Sequence, residues 1–238
     1  LNVRLLLTRP EPDAQRAAAA LRAQGHDVII APLLRIAPIA DASIGAGPWA
    51  AILITSANAA PAVAAHARVT QLRTLPVFAV GQRSADAIGA AGFADVTSAD
   101  GNVSDLARLV AARLPPAARL LYLAGEDRVG DLAGELRARG FVVETTTIYR
   151  AVAATGLPPT AAAALASGID AVLHFSRRSA ETYVDAARAA GMVANALKPI
   201  HFCLSPQVAE PLAQAGAADI RVAERPNEAL LLALIDAA

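Results

Sequence analysis

The second half of this chain repeats the first. Arg4-Leu5-Leu6, followed by Leu21 and Gly25, has its counterpart in Arg119-Leu120-Leu121, Leu136 and Gly140. Ala51 through Ser56 matches Ala171 through Ser176. Val80-Gly81, Gly92 and Asp95 match Leu204-Ser205, Gly216 and Asp219. The matched pieces alternate short aliphatic runs with alanine-rich segments that close on glycine, the pattern of strands feeding helices. Chance rarely preserves such an order, even in a chain rich in alanine. Two similar α/β domains, each with a parallel sheet, follow from it. At 238 residues the chain is long enough to give each its own core.

The repeat also suggests where one domain passes into the other. Thr145 through Ala153 is β-branched and extended, with no strong turn signal before Gly156 and Pro158-Pro159. Its nearest counterpart is Leu33-Leu34-Arg35-Ile36-Ala37-Pro38-Ile39. Paired antiparallel, these would form a two-strand connector over about residues 33–39 and 146–153. One domain, 36–153, would then be inserted into a discontinuous one made of 1–35 and 154–238, with a cleft opening beside Tyr149. Between these points the spacing predicts strands at 51–55, 77–80, 119–123, 171–175 and 200–204. Helices are predicted to begin at Pro10-Glu11-Pro12, Ser56-Ala57-Asn58 (running to about Ala67), Gly81-Gln82, Ser176 and Ser205-Pro206.

Composition removes several classes of function. The net charge is zero, which argues against broad electrostatic capture of nucleic acid or an anionic membrane. The single cysteine, Cys203, excludes an internal disulfide and any cysteine-built metal cluster, and its apolar run reads as a buried strand. Arg4, Arg9, Glu11 and Asp13 around the first apolar run do not fit a signal peptide. No apolar run approaches the ~20 residues needed to span a bilayer, so a cytoplasmic protein is expected. His26, His66, His174 and His201 lack metal-ligand spacing. No Walker loop, dinucleotide-binding glycine fingerprint or His-Glu-x-x-His motif occurs.

What remains are the turns from strand into helix. In open parallel sheets ligands bind beyond the carboxyl ends of the strands, where helix N-termini offer unpaired N–H groups. Thr55-Ser56, Gly81-Gln82-Arg83-Ser84, Ser176-Arg177-Arg178-Ser179 and Ser205-Pro206-Gln207 all occupy such turns. Plain helix capping explains any one of them. Four in register favour a site for carboxylates or phosphates, provided that both domains face one cleft.

Taken together, these residues resemble the uroporphyrinogen-III synthase family, over essentially the whole chain. Leu7-Thr8-Arg9-Pro10 is similar to the family's opening motif, and Ile54-Thr55-Ser56-Ala57-Asn58-Ala59 to its first-domain turn. Val80-Gly81-Gln82-Arg83-Ser84-Ala85, Ile148-Tyr149-Arg150 and Phe175-Ser176 resemble three further motifs in the same order. There are departures: Ser84 stands for a threonine, Ala124 for an arginine before glycine, and Leu204-Ser205-Pro206-Gln207-Val208 for a glycine- and threonine-bearing turn.

The resemblance implies two flavodoxin-like domains and a lyase that closes hydroxymethylbilane, a linear tetrapyrrole bearing acetate and propionate arms, into uroporphyrinogen III. Loss of the terminal hydroxyl leaves an electrophilic azafulvene. Ring D attacks it through a substituted carbon, and the spiro intermediate reopens with that ring inverted. The resemblance gives Tyr149 as the catalytic donor, with Thr55, Ser56, Gly81, Ser84, Ser176, Ser205, Arg9, Arg83 and Arg177 as substrate contacts. It implies no metal and no cofactor. A monomer is expected, association with the preceding pathway enzyme being left open. The alternative is a noncatalytic two-domain protein that binds tetrapyrroles or small anions as a regulator.

Overall fold

Parallel strands buried on both faces organise the computed structural model, which describes residues 2–128 and 130–236. The chain divides into two compact units, residues 1–35 with 152–238 and residues 36–151.

The first unit holds a five-stranded sheet. Its strands are β1 (Arg4–Leu7), β2 (Asp27–Ile30), β9 (Ala171–His174), β10 (Ile200–Cys203) and β11 (Ile220–Val222). They run in the order β2-β1-β9-β10-β11, every pair parallel. Side chains alternate between two apolar layers, as the two-residue period of a strand requires. Leu6, Val172 and Cys203 enter one layer, while Leu5, Leu7, Leu173 and Phe202 enter the other. Helices α1 (Asp13–Ala23) and α11 (Glu228–Asp236) pack against one face. Helices α7 (Pro159–Ser167), α8 (Arg177–Ala189), α9 (Val193–Leu197) and α10 (Pro206–Ala215) cover the other. Helix α10 stops at Gly216, whose φ of 95° is a left-handed conformation that costs glycine nothing.

The second unit repeats the plan. Its strands are β4 (Ala51–Ile54), β5 (Val77–Ala79), β6 (Val96–Ser98), β7 (Arg119–Gly125) and β8 (Val142–Ala153), in the order β8-β7-β4-β5-β6. Strand β3 (Leu34–Pro38) lies beside β8 at the edge. Ile39 N donates to Ile148 O at 2.8 Å and Ala154 N to Leu33 O at 2.8 Å, an antiparallel pattern. Helices α2 (Ala59–Ala64), α3 (Val69–Leu72) and α4 (Gln82–Ala90) follow β4 and β5, α5 (Val103–Arg113) follows β6, and α6 (Leu132–Ala138) follows β7. Asn102 and Asp105 form a reciprocal cap at the start of α5.

The strand orders correspond as β1 to β7, β2 to β8, β9 to β4, β10 to β5 and β11 to β6. Each unit therefore takes two strands from one sequence repeat and three from the other.

Several local expectations need correction. The helix predicted through Ala67 breaks into α2 and α3 at His66. The imidazole there accepts from Arg68 N at 3.1 Å and meets Ala42 O at 3.0 Å, which diverts the backbone from helical pairing. The short helix α9 lies where none was predicted. The second connector, expected at about 146–153, is the end of a longer strand of twelve residues, β8. Cys203 is fully buried, and burial pushes its thiol up to about 12. Among the described residues, no helix is long and apolar enough to cross a membrane.

Candidate functional site

The carboxyl ends of β4 and β7 are adjacent, yet the chain leaves them toward different sequence neighbours. This is the switch point at which open α/β sheets leave room for a ligand. A cavity of about 400 Å³ lies there. Thr55, Ser56 and Asn58 come from the turn after β4, Val80 from the turn after β5, and Asn102 from the start of α5. The segment after β7 adds Glu126, Asp127 and Arg128, and the edge strands supply Ile36, Tyr149 and Ala151. The turn residues are only half-buried because helix entry points outward; Tyr149, anchored in β8, is 8% exposed.

Tyr149 is held from three sides. Its ring packs among Ile54, Ile148 and the other apolar residues of one core layer. Its main-chain oxygen accepts from Glu126 N at 3.0 Å. Its hydroxyl hydrogen-bonds the side chain of Ser56, whose Oγ also accepts from Asn58 N at 3.2 Å. Burial raises the phenol pKa above its ordinary value. The hydrogen bond to Ser56 opposes that shift, while Tyr122 and the Asp127 carboxylate add to it. The phenol therefore keeps its proton at neutral pH and offers it as a hydrogen-bond donor.

A second phenol organises the neighbouring hydroxyl. Tyr122, 5% exposed in β7, meets Thr55 Oγ1 at 2.8 Å. Sequence reading missed it. A tyrosine in an otherwise aliphatic central strand needs a partner for its hydroxyl, and that was the available signal. Asn58, Asn102 and Arg128 were missed for another reason: polar residues in loops carry no period. Glu126 and Asp127 are exposed and line this cavity.

The other predicted residues fall into distinct settings. In the second unit Gly81 is the extended residue that precedes α4, and Arg83 is exposed on its first turn. Ser84 is buried one residue further and does not line the cavity. In the first unit Ser176 caps α8: its Oγ accepts from Ser179 N at 3.1 Å and donates to Ser179 Oγ at 2.9 Å. Ser205 precedes α10 without a capping bond from its side chain. Arg177 pairs with Glu181 at 2.8 Å and with Glu210 at 2.5 Å. Arg9 pairs with Asp13 and Glu228, each at 2.9 Å, and lies 4.1 Å over the Phe175 ring. No group of three or more potential metal ligands occurs among the described residues.

Doubly wound sheets, one of them with a polar, phenol-bearing cavity at its switch point, define a two-domain α/β protein. The family model for uroporphyrinogen-III synthase HemD matches residues 15–233, and the chain belongs to that family of cyclising lyases of haem biosynthesis. Among solved structures it is similar to the uroporphyrinogen-III synthetase of Helicobacter pylori 26695. The TM-score there is 0.65 and the identity 14%, with 99% of each chain covered. A mutant uroporphyrinogen III synthase of Thermus thermophilus gives a TM-score of 0.50 at 16% identity, covering 99% of this chain and 98% of that one. At such identities the likeness speaks for the fold. None of the curated proteins compared matches the chain.

Proposed function

We propose that this uroporphyrinogen-III synthase works from the cavity beside β4 and β7, with Tyr149 as proton donor to the departing hydroxyl of hydroxymethylbilane. The observation that carries this reading is the buried phenol, kept protonated and aimed by Ser56 into a cavity lined by hydroxyls, amides and Arg128. The pyrrole nitrogen lone pair expels the hydroxyl as its C–O bond breaks, and the phenol proton leaves with it as water. Ring D then attacks the azafulvene through its substituted carbon. The spiro intermediate opens and closes again with the ring inverted, and the proton released on rearomatisation returns to the phenolate.

Unassisted closure gives the symmetric type I isomer. The protein's main task is accordingly to hold the chain in the bent geometry that lets ring D react at the other carbon. Thr55 and Ser56 supply hydroxyls for the acid arms, while Gly81 and Ser84 sit on the neighbouring turn after β5, outside the cavity lining. Arg128 is the cation on the cavity wall, while Glu126 and Asp127 repel carboxylates from their side. The contacts assigned to Ser176, Ser205, Arg9 and Arg177 belong to the first unit, where Ser176, Arg9 and Arg177 already have partners.

The test is incubation of the purified protein with freshly made hydroxymethylbilane, followed by chromatographic separation of the isomers. Predominance of type III is expected. A product dominated by type I, as forms without protein, would refute the reading. Light scattering of the same sample tests the expected monomer.

A further inference from the structure

We infer that Gly125, the last residue of β7, is a positioning residue that admits the Tyr149 phenol to its place at the cavity wall. The inference rests on the reading of Tyr149 as the proton donor. The strand register supplies the geometry. Strands β7 and β8 pair residue for residue from Arg119 with Val142 to Ala124 with Thr147. The register then slips, and Gly125 pairs with Tyr149. One residue of β8 is thus skipped, a bulge of the kind that re-aims a side chain near a site.

The slip brings the phenol against the Gly125 backbone. A Cβ built on Gly125 would lie 2.6 Å from Tyr149 Cζ, 2.7 Å from Cε2 and 2.7 Å from the hydroxyl oxygen. All three are closer than real Cβ contacts, and all involve the reactive end of the ring. The nearest obstacles to a methyl group are therefore the atoms that carry the chemistry. Gly125 also has no positive φ, so alanine meets no backbone penalty there. A side chain at 125 acts on the phenol. The ring must swing from the strand and lose its bond to Ser56, while β7 keeps its place between β8 and β4.

Other glycines provide the contrast. A Cβ at Gly89, in helix α4, meets nothing within 4 Å. Gly89→Ala is the matched control for backbone and propensity effects.

The experiment compares Gly125→Ala, Tyr149→Phe, the double variant and Gly89→Ala by kcat, KM and the fraction of type III product. It adds an alkaline spectrophotometric titration, in which subtracting Tyr149→Phe isolates the one phenol from Tyr122 and Tyr183. The expected result has three parts. Gly125→Ala lowers kcat at least about tenfold, with KM within about threefold of the parent. The double variant is no slower than the slower single one, because both changes remove the same contact. The Tyr149 ionisation moves down toward its ordinary value as the ring leaves its buried seat.

Multiplicative losses in the double variant, an unmoved ionisation, or parental kcat in Gly125→Ala beside a slow Tyr149→Phe would each overturn the inference. Tyr149→Phe at the parental rate, with the ionisation still displaced in Gly125→Ala, removes the donor role and leaves the positioning intact. Gly89→Ala should match the parent throughout, and its thermal midpoint sets the scale for judging whether Gly125→Ala is folded.

Discussion

The carboxyl ends of β9 and β1 in the first unit occupy the same place in the fold as those of β4 and β7 in the second. What fills them differs. In the second unit the strand ends border a cavity into which a phenol and two hydroxyl-bearing turn residues project. In the first unit Arg9 leaves the end of β1, lies over Phe175 and is tied to Asp13 and Glu228, while Ser176 is used up in capping α8. The polar atoms deep inside differ as well. Beneath the second unit's cavity lies the Tyr122–Thr55 pair. In the first unit His174 and His201 are buried with no exposed surface, Nε2 to Nδ1 at 3.1 Å, and both rings meet the edge of Tyr183. One duplicated plan carries a polar cavity at the second unit's strand ends, and an arginine and a serine engaged in pairs within the unit at the first's.

The largest effect that should separate the halves is on turnover. Replacing Tyr149 by Phe is expected to lower kcat/KM by roughly 100-fold, about 2.7 kcal/mol of transition-state stabilisation, without abolishing the reaction. Ser176→Ala should stay within about threefold in kcat/KM, its cost being a lost helix cap of about 1 kcal/mol in denaturant unfolding. Equal losses in the two variants would erase the distinction.

Acid should separate them next, with the opposite polarity. Burial holds His201 down to about 4 and His174 well below its ordinary value. The unfolded chain therefore binds protons that the folded chain refuses, and stability rises with pH across this window. It is complete above about 6.5, the ordinary histidine value, and is lost as pH falls from there toward 4. For one such histidine the loss at pH 5 is on the order of 2 kcal/mol. Hydrogen exchange at pH 7.5 and 5 should show β9 and β10 losing protection before β4 and β7. Uniform loss across both sheets would contradict it.

A smaller effect is expected at the Arg9 clamp. The Arg9 side chain is 12% exposed, so Arg9→Ala removes one of the two arginines that meet Asp13 and Glu228, together with the packing over Phe175, and should cost about 2 kcal/mol of stability. Per folded molecule, turnover should change little; a kinetic loss as large as that of Tyr149→Phe would move substrate contact into the first unit. The smallest change is Tyr122→Phe, which removes the partner of Thr55 Oγ1 and should cost about 1 kcal/mol with a fewfold rise in KM.

Some of this was legible in the sequence and some was not. The sheets were, because aliphatic runs followed by glycine-closed alanine helices have few other uses. So was the place of Tyr149 in a strand, as the one aromatic residue in a β-branched run. Gly125 carries no local signal, since its setting depends on a slipped register with a residue far along the chain. The break at His66 was hidden for the same reason: Ala42 O, its partner, belongs to a distant loop. The pairing of Arg9 and Arg177 was hidden too, because a sequence does not show that Glu228 and Glu210 reach them. Local period is written in the chain, whereas competition for a polar group is settled only when distant segments meet.

The decisive experiment is to titrate isotopically labelled protein, under anaerobic conditions, with the reduced type III product and follow backbone amide shifts. The earliest and largest changes are expected at Thr55, Ser56, Gly125 and Tyr149, around the cavity of the second unit. Changes confined to Thr8, Ser176 and Ser205, with that cavity silent, would place product binding in the first unit and contradict the asymmetry between the halves.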